Sequence, residues 1–345
     1  MIILLLLMIT LIPSDAVSQV PVAENEVSKE DITVQLLPSK EKYSFGGPIE
    51  LTLIIQNTSQ KDISLNILVP YNYPEGDYYP KERGLGFSPK NNLNDVSQRK
   101  KSGEFAFPEV LSGRFVPLFL YSGDSSKENI YLNRYLNFQK PGRFEIKYSF
   151  KIHARREMKE TSTLGVDLEF SNSFCINLES VTNQDLDQEL EKFSEKLFLK
   201  SDFDQENFET FEGLCYLDTP LSIKYIAKAL DLERAEVVAA AILTRFNTPE
   251  SLQYVEQALA RFKDTKPGVI RSILFESEKK RGILSYQVIK DLLLNTTNEI
   301  TIRYTLQYIQ AIKGKHFLSI LSQFIKTKNT DKYLNKLARQ IKRKL

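Results

Sequence analysis

Tryptophan is absent from the 345-residue sequence, and histidine, cysteine and methionine occur only two, two and three times. So few histidines and cysteines leave little material for a metal site or for a catalytic charge relay. An excess of charge of one sign is lacking as well, because 46 Lys and Arg nearly balance 44 Asp and Glu. The formal net charge of +2 points by itself to no charged partner.

Motifs that carry chemistry are missing too. The sequence holds no H-x-x-x-H, no C-x-x-C, no G-x-S-x-G and no glycine loop that could cradle a phosphate. The acidic runs that begin at Asp185 and Asp202 have the spacing that opens a calcium loop. Leu190 and Asn207 take the sixth position, however, where glycine makes the sharp turn. We therefore predict no catalytic residue, no metal and no cofactor, although a carboxylate-pair hydrolase stays open because acids are plentiful.

A short apolar run of 11 residues occupies positions 2–12 and ends at Pro13. A membrane-spanning helix needs about 20 apolar residues, so this run is too short to cross a bilayer. Ala16 and Ser18 supply the small residues that precede a signal-peptidase site. We predict that residues 1–18 are a secretory signal cleaved after Ser18 and that the mature chain is secreted or periplasmic. The alternative is a buried N-terminal strand or helix.

The two cysteines, Cys175 and Cys215, read differently in that compartment. In an oxidising environment they could form one disulfide. On loop-entropy arguments such a bridge would stabilise the fold by about 3–4 kcal/mol. Two buried free thiols, which behave as small hydrophobic side chains, are the alternative.

Apolar side chains recur at every second position across residues 30–180. The alternating runs are residues 32–36, 49–55, 63–69, 144–152 and 164–170. The polar segment 57–61 lies between two of these runs and predicts a β-hairpin. Strict alternation gives each strand one buried and one wet face, which is typical of an antiparallel β-sandwich.

Two segments of this region carry a resemblance to a known fold. Residues 43–53 read YSFGGPIELTL and precede Asn57 and a returning strand. This arrangement resembles the "G-x-P-I-x-L" strand and "N-x-(S/T)" turn that open immunoglobulin-like domains of bacterial secreted proteins. Residues 135–144 read YLNFQKPGRF and look like the "PG-(K/R)-(Y/F)" entry to a late strand of such domains. The resemblance implies an immunoglobulin-like sandwich and brings no catalytic residue with it.

A long insertion is predicted within this domain, over residues 70–104. It holds four clustered tyrosines, Tyr71, Tyr73, Tyr78 and Tyr79. Tyrosines on a proline-stiffened loop suit a recognition surface, because they present a large amphipathic area at low entropic cost. The alternative is that the loop folds over the sheet and covers its apolar edge with the same side chains.

Charge divides the chain into two opposed parts. Residues 183–218 hold 11 acidic side chains and three lysines, which predicts an acidic connector that begins with an amphipathic helix. Residues 219–345 hold 23 Lys and Arg against 11 Asp and Glu, a net charge of +12, whereas residues 1–218 carry −10. The near-neutral total is therefore the sum of an acidic and a basic half.

The apolar period changes to 3.6 residues after position 219, and an internal repeat begins there. Residues 219–230, TPLSIKYIAKAL, match residues 248–259, TPESLQYVEQAL, at six of twelve positions. Thr before Pro supplies a cap and a first-turn residue, which favours a helix start. Four helix pairs over residues 219–345 resemble HEAT-type repeats, which implies an α-solenoid. An irregular helical bundle is the alternative.

The last predicted helix separates its charged and apolar faces. Lys332, Lys336, Arg339 and Arg343 lie opposite an apolar stripe. One interpretation is a cap that closes the solenoid with a polar outer face. The other is an interfacial helix that lies on anionic lipid.

Taken together, these patterns predict a non-enzymatic extracytoplasmic binding or scaffold protein. Its fold would be an immunoglobulin-like antiparallel β-sandwich followed by a HEAT-like α-solenoid. The basic helical half would meet an acidic partner, either a protein or an anionic envelope polymer or lipid, unless its own connector neutralises it. Nucleic acid is not expected, because it conflicts with export. The alternative is a secreted enzyme or enzyme inhibitor acting through the tyrosines of residues 70–104.

Overall fold

A computed structural model places a strand-rich region before a helical region. The parts of the chain that it describes are residues 27–67, 85–98, 118–156, 165–198, 210–211, 213–233, 235–280, 282–327 and 332–345.

The strand-rich region contains several antiparallel sheets. One sheet has the order β1–β3–β8, a second has the order β2–β11–β10–β4–β7 with β5 also paired to β10, and β6 pairs with β9. Only β2 and β11 pair in parallel among these described strands. The strands are β1 (Ile32–Pro38), β2 (Lys42–Ser44), β3 (Glu50–Asn57), β4 (Ile63–Ile67), β5 (Leu85–Pro89), β6 (Val96–Gln98), β7 (Leu118–Leu120), β8 (Ser125–Tyr131), β9 (Leu136–Phe138), β10 (Gly142–Arg156) and β11 (Val166–Glu179).

Alternation along the strands builds one shared core. On β10, Phe144 and Phe150 are at most 1% exposed, while Lys147 between them faces solvent. Leu51 and Leu53 of β3, in the other large sheet, belong to the same buried cluster. The two large sheets therefore enclose a common apolar layer, as the period of two predicts.

The predicted hairpin between β3 and β4 is wrong. β3 pairs with β1 and β8, whereas β4 pairs with β10 and β7 in the other large sheet. Asn57 explains the crossing, because it is fully buried and its side-chain amide donates to the carbonyl oxygens of Lys61, Leu120 and Tyr121. These bonds satisfy the turn internally as the chain passes from one sheet to the other.

Part of the predicted insertion over residues 70–104 belongs to the sheets. Within it, residues 85–98 include β5, which pairs with β10, and β6, which pairs with β9. Leu85 and Phe87 are 6% and 7% exposed, so this part supplies core rather than a loop. The alternation of Leu85 and Phe87 is too short to predict a strand, because glycine and proline adjoin it in the sequence.

The helical region consists of successive helices whose starts match the sequence pattern. The side chain of Thr219 accepts a hydrogen bond from the Leu221 amide and caps a 3₁₀ turn, Pro220–Ser222, that leads into the first repeat helix. The side chain of Thr248 accepts one from the Ser251 amide and caps an α-helix directly. The helices are α1 (Asn183–Glu195), α2 (Ile223–Lys228), α3 (Glu236–Phe246), α4 (Pro249–Phe262), α5 (Pro267–Lys279), α6 (Tyr286–Leu294), α7 (Glu299–Ala311), α8 (Leu318–Thr327) and α9 (Lys332–Lys344).

From α2 onward the helices pack in two layers. The helices α2, α4, α6 and α8 follow one another in the first layer, and α3, α5, α7 and α9 follow one another in the second. Each first-layer helix also packs on the helix that comes next in the chain. Apolar side chains such as Val238, Ile273, Leu306 and Ile341 are at most 1% exposed between the helices. Every helix thus needs its neighbours to bury its apolar stripe.

Helix α1 joins the strand-rich region to this stack. Tyr131, at the end of β8, lies in the helical core with its ring edge-on to Phe193 of α1 at 5.7 Å between centroids. Lys40 also forms an ion pair of 3.2 Å with Glu189 of α1. The described start of the acidic connector is therefore a packed helix. None of the helices described has the length and apolar character to cross a bilayer, and the predicted signal at residues 1–18 lies outside the described residues.

Candidate binding surface on the helical region

The first group of predicted site residues consists of four tyrosines. Tyr71, Tyr73, Tyr78 and Tyr79 lie outside the described residues, so a role for them stays a prediction.

The cysteines are in unlike environments. Cys175 is exposed on β11, Cys215 is buried in the helical core, and the structure contains no disulfide between them. Neither sequence interpretation fits both thiols, because Cys175 takes the outward phase of its strand and only Cys215 behaves as a small buried hydrophobe.

Helix α9 holds all four predicted cationic residues on its solvent side. Its apolar stripe, formed by Leu334, Ala338 and Ile341, is at most 4% exposed and packs against α7 and α8. The exposed residues of the opposite stripe are Lys332, Lys336, Arg339 and Arg343. Neither α8 nor α9 contains an acidic residue, so no carboxylate within these two helices offsets the charge. The apolar face of α9 is therefore covered by protein, and its charged stripe faces solvent.

Two further helices of the same layer, α5 and α7, also carry cations beside aromatic rings. On α5 and α7, the guanidinium carbons of Arg271 and Arg303 lie 5.7 Å and 5.4 Å from the centre of the Tyr304 ring. Phe275 is 57% exposed, and Lys279 Nζ lies 4.4 Å from the centre of its ring. Guanidinium and ammonium groups are attracted to the faces of such rings, which holds the long side chains in place. We define the cationic face as Arg271, Phe275, Lys279, Arg303, Tyr304, Lys332, Lys336, Arg339 and Arg343.

A buried ion pair fixes α5 beneath this face. Arg245 of α3 donates from Nε and Nη2 to the two carboxylate oxygens of Glu276, at 2.9 Å and 3.0 Å. Both side chains are less than a tenth exposed, and Lys279 Nζ adds a third contact to Glu276 at 3.0 Å. A bidentate pair has a fixed geometry, so it sets the rotation of α5 about its axis and thereby the direction of Phe275 and Arg271.

Sequence reasoning missed the α5 and α7 part of the face. Arg271, Phe275 and Lys279 are spaced four residues apart, and residues four apart share a helix face. The sequence therefore contained a signal for this part of the face. The contact between Arg271 and Tyr304 was not readable. It depends on α5 lying beside α7, which only the stacking of the layer decides.

A pocket of about 490 Å³ lies elsewhere, between the α2–α3 connection and the start of α5. Its acidic side chains include Asp231, which pairs with Arg261, and Glu236, whose Oε1 accepts from Lys266 Nζ at 2.9 Å. Within the described ranges no group of three or more His, Cys, Asp and Glu is arranged to hold a metal ion. The pocket offers paired charges rather than a converging set of reactive groups.

Comparisons with known proteins give little beyond the structure itself. No family model matches the chain, and no curated protein matches it. Among solved structures, a mutant of Salmonella alpha-2-macroglobulin is similar at 12% sequence identity and a TM-score of 0.22. That match covers 91% of this chain and 26% of the other, so the chain spans about a quarter of the protein it matches. A TM-score this low supports no argument about fold or function.

Proposed function

We propose that this chain is a non-enzymatic, extracytoplasmic binding or scaffold protein that engages an anionic partner through the cationic face. The observation that carries the proposal is the stripe of Lys332, Lys336, Arg339 and Arg343. It is exposed, it lies on a helix without acids, and the apolar side of that helix is buried. The extracytoplasmic location rests on the sequence of residues 1–18 alone.

The finer fold belongs to the same proposal. Two large sheets share a core and the chain crosses between them after β3, which suits an immunoglobulin-like sandwich. Helix pairs stacked in two ordered layers suit a HEAT-like α-solenoid, whose long layers commonly present binding surfaces.

The partner comes from outside the described part of the chain. Two described acids of the connector meet cations away from α9: Asp187 pairs with Lys224 of α2 at 2.7 Å, and Glu189 pairs with Lys40 of the strand-rich region. Helix α9 lies against α7 and α8. The connector helix therefore leaves the cationic face uncovered. A protein, an anionic envelope polymer or lipid headgroups could each supply the negative charge.

Retention of the full chain on a heparin-like matrix tests the proposal, with a steep dependence on salt as the expected behaviour. The double variant Lys336→Glu with Arg339→Glu should elute at clearly lower salt than the natural chain. A control with the same change in net charge, Lys147→Glu with Lys192→Glu, places the substitutions on β10 and α1. It should elute nearer to the natural chain. Equal shifts in the two variants would show a response to net charge alone and would overturn the assignment of the surface.

A further inference from the structure

We infer that the cationic face accepts an acidic polypeptide segment that carries aromatic or aliphatic side chains. The inference rests on the proposed function and narrows its partner, because polymers and lipid headgroups supply charge without apolar side chains. Three features of the face carry the inference: an exposed ring among cations, a pair of oriented guanidinium groups, and the length of the layer.

The exposed ring is that of Phe275. It lies on α5 within one helical turn of Arg271 and Lys279, and 57% of the residue is accessible to water. Contact with another apolar side chain would remove much of that surface from water, which is favourable in proportion to the area covered. A sulfated or phosphorylated polymer gains nothing comparable from a phenyl ring. The ring therefore favours a polypeptide partner over a polyanion that is charged throughout.

The oriented guanidinium groups are those of Arg271 and Arg303. Both lie against the Tyr304 ring, at 5.7 Å and 5.4 Å from its centre. Stacking leaves the N–H edges of a guanidinium free to donate, and two parallel N–H groups match the two oxygens of a carboxylate. Because the ring already restricts these side chains, less conformational freedom is lost when a carboxylate binds.

The length of the layer sets the size of the segment. Neighbouring packed helices lie about 8–10 Å apart, so the axes of α5 and α9, with α7 between them, are about 16–20 Å apart. An extended chain covers about 3.3–3.6 Å per residue, so about six residues span that distance. Charge is complementary along it, since the exposed acids on these three helices are Glu278 and Glu299 against seven cations of the face.

Fluorescence anisotropy with two labelled peptides of about eight residues tests the inference, a length just above the span of the face. One peptide contains Asp, Glu and two Phe, and the other has Ser in place of each Phe, so that their charges are equal. The full chain should bind the Phe peptide about tenfold more tightly, the size of effect expected for burying an aromatic side chain.

Matched variants separate the ring from the charge. Phe275→Ser should reduce the preference between the peptides to near unity and leave elution from the heparin-like matrix unchanged. Leu93→Ser removes a comparably exposed apolar side chain from the strand-rich region, 65% exposed against 57% for Phe275, and should leave the preference intact. Far-UV circular dichroism checks that both variants remain folded, which exposed positions allow.

The outcomes distinguish this inference from the proposed function. Salt-dependent retention on the heparin-like matrix without any preference for the Phe peptide would overturn the inference and leave the proposed function in place. Binding to vesicles of anionic lipid but to neither peptide would assign the face to headgroups instead. A preference that survives Phe275→Ser would show that the ring is not the contact. Failure to bind any of these anions would overturn the proposed function as well.

Discussion

Contacts within the strand-rich region join residues far apart in the sequence, whereas contacts within the helical region join neighbouring helices. In the strand-rich region the amide of Ile49 donates to Asn133, 84 residues away, and β3 lies between β1 and β8 rather than beside β4. In the helical region, from α2 onward, each helix packs on the next but one, and each first-layer helix also packs on the next. Local contacts close small loops and distant ones close large loops, so the two regions differ in how much of their structure adjacent residues determine.

Ion pairs in the two regions also differ in how deeply they are buried. The ion pairs Lys42–Glu179 and Lys90–Glu145 of the sheets are at least 40% exposed on every side chain. In the helical region Arg245 and Glu276 are 6% and 7% exposed. Exposed pairs such as the two in the sheets add little stability, whereas the loss of one partner of the Arg245–Glu276 pair leaves a costly buried charge.

The largest expected effect comes from breaking that buried pair. Glu276→Gln should lower the free energy of unfolding by about 3–5 kcal/mol, because it strands the Arg245 charge in a low-dielectric interior. Urea unfolding followed by circular dichroism measures the change. Asp231→Asn breaks the exposed pair with Arg261, whose side chains are 64% and 58% exposed, and should cost less than about 1 kcal/mol. Equal costs for the two variants would contradict the distinction.

A second comparison asks whether the two regions unfold together. Leu53→Ala in β3 and Leu293→Ala in α6 remove fully buried side chains and should each cost about 2–5 kcal/mol. Tyr131 of β8 lies in the helical core, so the two regions should unfold together. In each variant, the unfolding transitions followed by far-UV circular dichroism and by tyrosine fluorescence should therefore move by the same amount. Separate transitions, each moved by only one variant, would show that α1 does not couple the regions.

The coupling itself can be tested at Gly213, which lies beside both Tyr131 of β8 and Phe193 of α1. A Cβ at this position would lie 2.9 Å from the Tyr131 ring and 3.0 Å from the Phe193 ring. Gly213→Ala should therefore overpack the joint and cost about 1–3 kcal/mol. Gly268→Ala in α5 is the matched control, since its nearest neighbour would be Val237 at 3.8 Å. That variant should be neutral or stabilising by up to about 1 kcal/mol, because alanine favours helix.

This contrast explains which predictions from the sequence succeed. The two-residue period in β10, the caps at Thr219 and Thr248 and the buried stripe of α9 are confirmed, because each is set by residues close in sequence. The β3–β4 hairpin is wrong, because strand partners are chosen by a shared core and by the buried side chain of Asn57.

The candidate surface divides in the same way. The cations of α9 could be predicted, since spacings of three and four residues place them on one face. The stack of Arg271 on Tyr304 could not, because it joins helices that are next but one in the chain. The immunoglobulin-like and HEAT-like assignments stay predictions, since they concern the finer arrangement of elements whose presence is established.

The smallest expected effect lies where two turns of the helical stack meet. Asp264, after α4, accepts hydrogen bonds from the Thr296 hydroxyl at 2.6 Å and from the Thr297 amide at 2.6 Å. These bonds stabilise the carboxylate and lower its pKa to about 2. A folded-state pKa below the unfolded value of 3.8 stabilises the protein above pH 3.8, and this contribution is lost as the pH falls through about 2.

Asp264→Asn should therefore lower the free energy of unfolding at neutral pH by at most about 1 kcal/mol, since the exposed carboxylate is screened by solvent. Urea unfolding at a series of pH values should show the natural chain and the variant converging between about pH 4 and pH 2. Asp291→Asn is a useful comparison, because that carboxyl has a lowered pKa and accepts from Lys263 at 2.7 Å between neighbouring helices. If the stability cost of Asp291→Asn varied with pH and that of Asp264→Asn did not, the ion pair rather than the Asp264 turn would stabilise the contact between these neighbouring helix pairs.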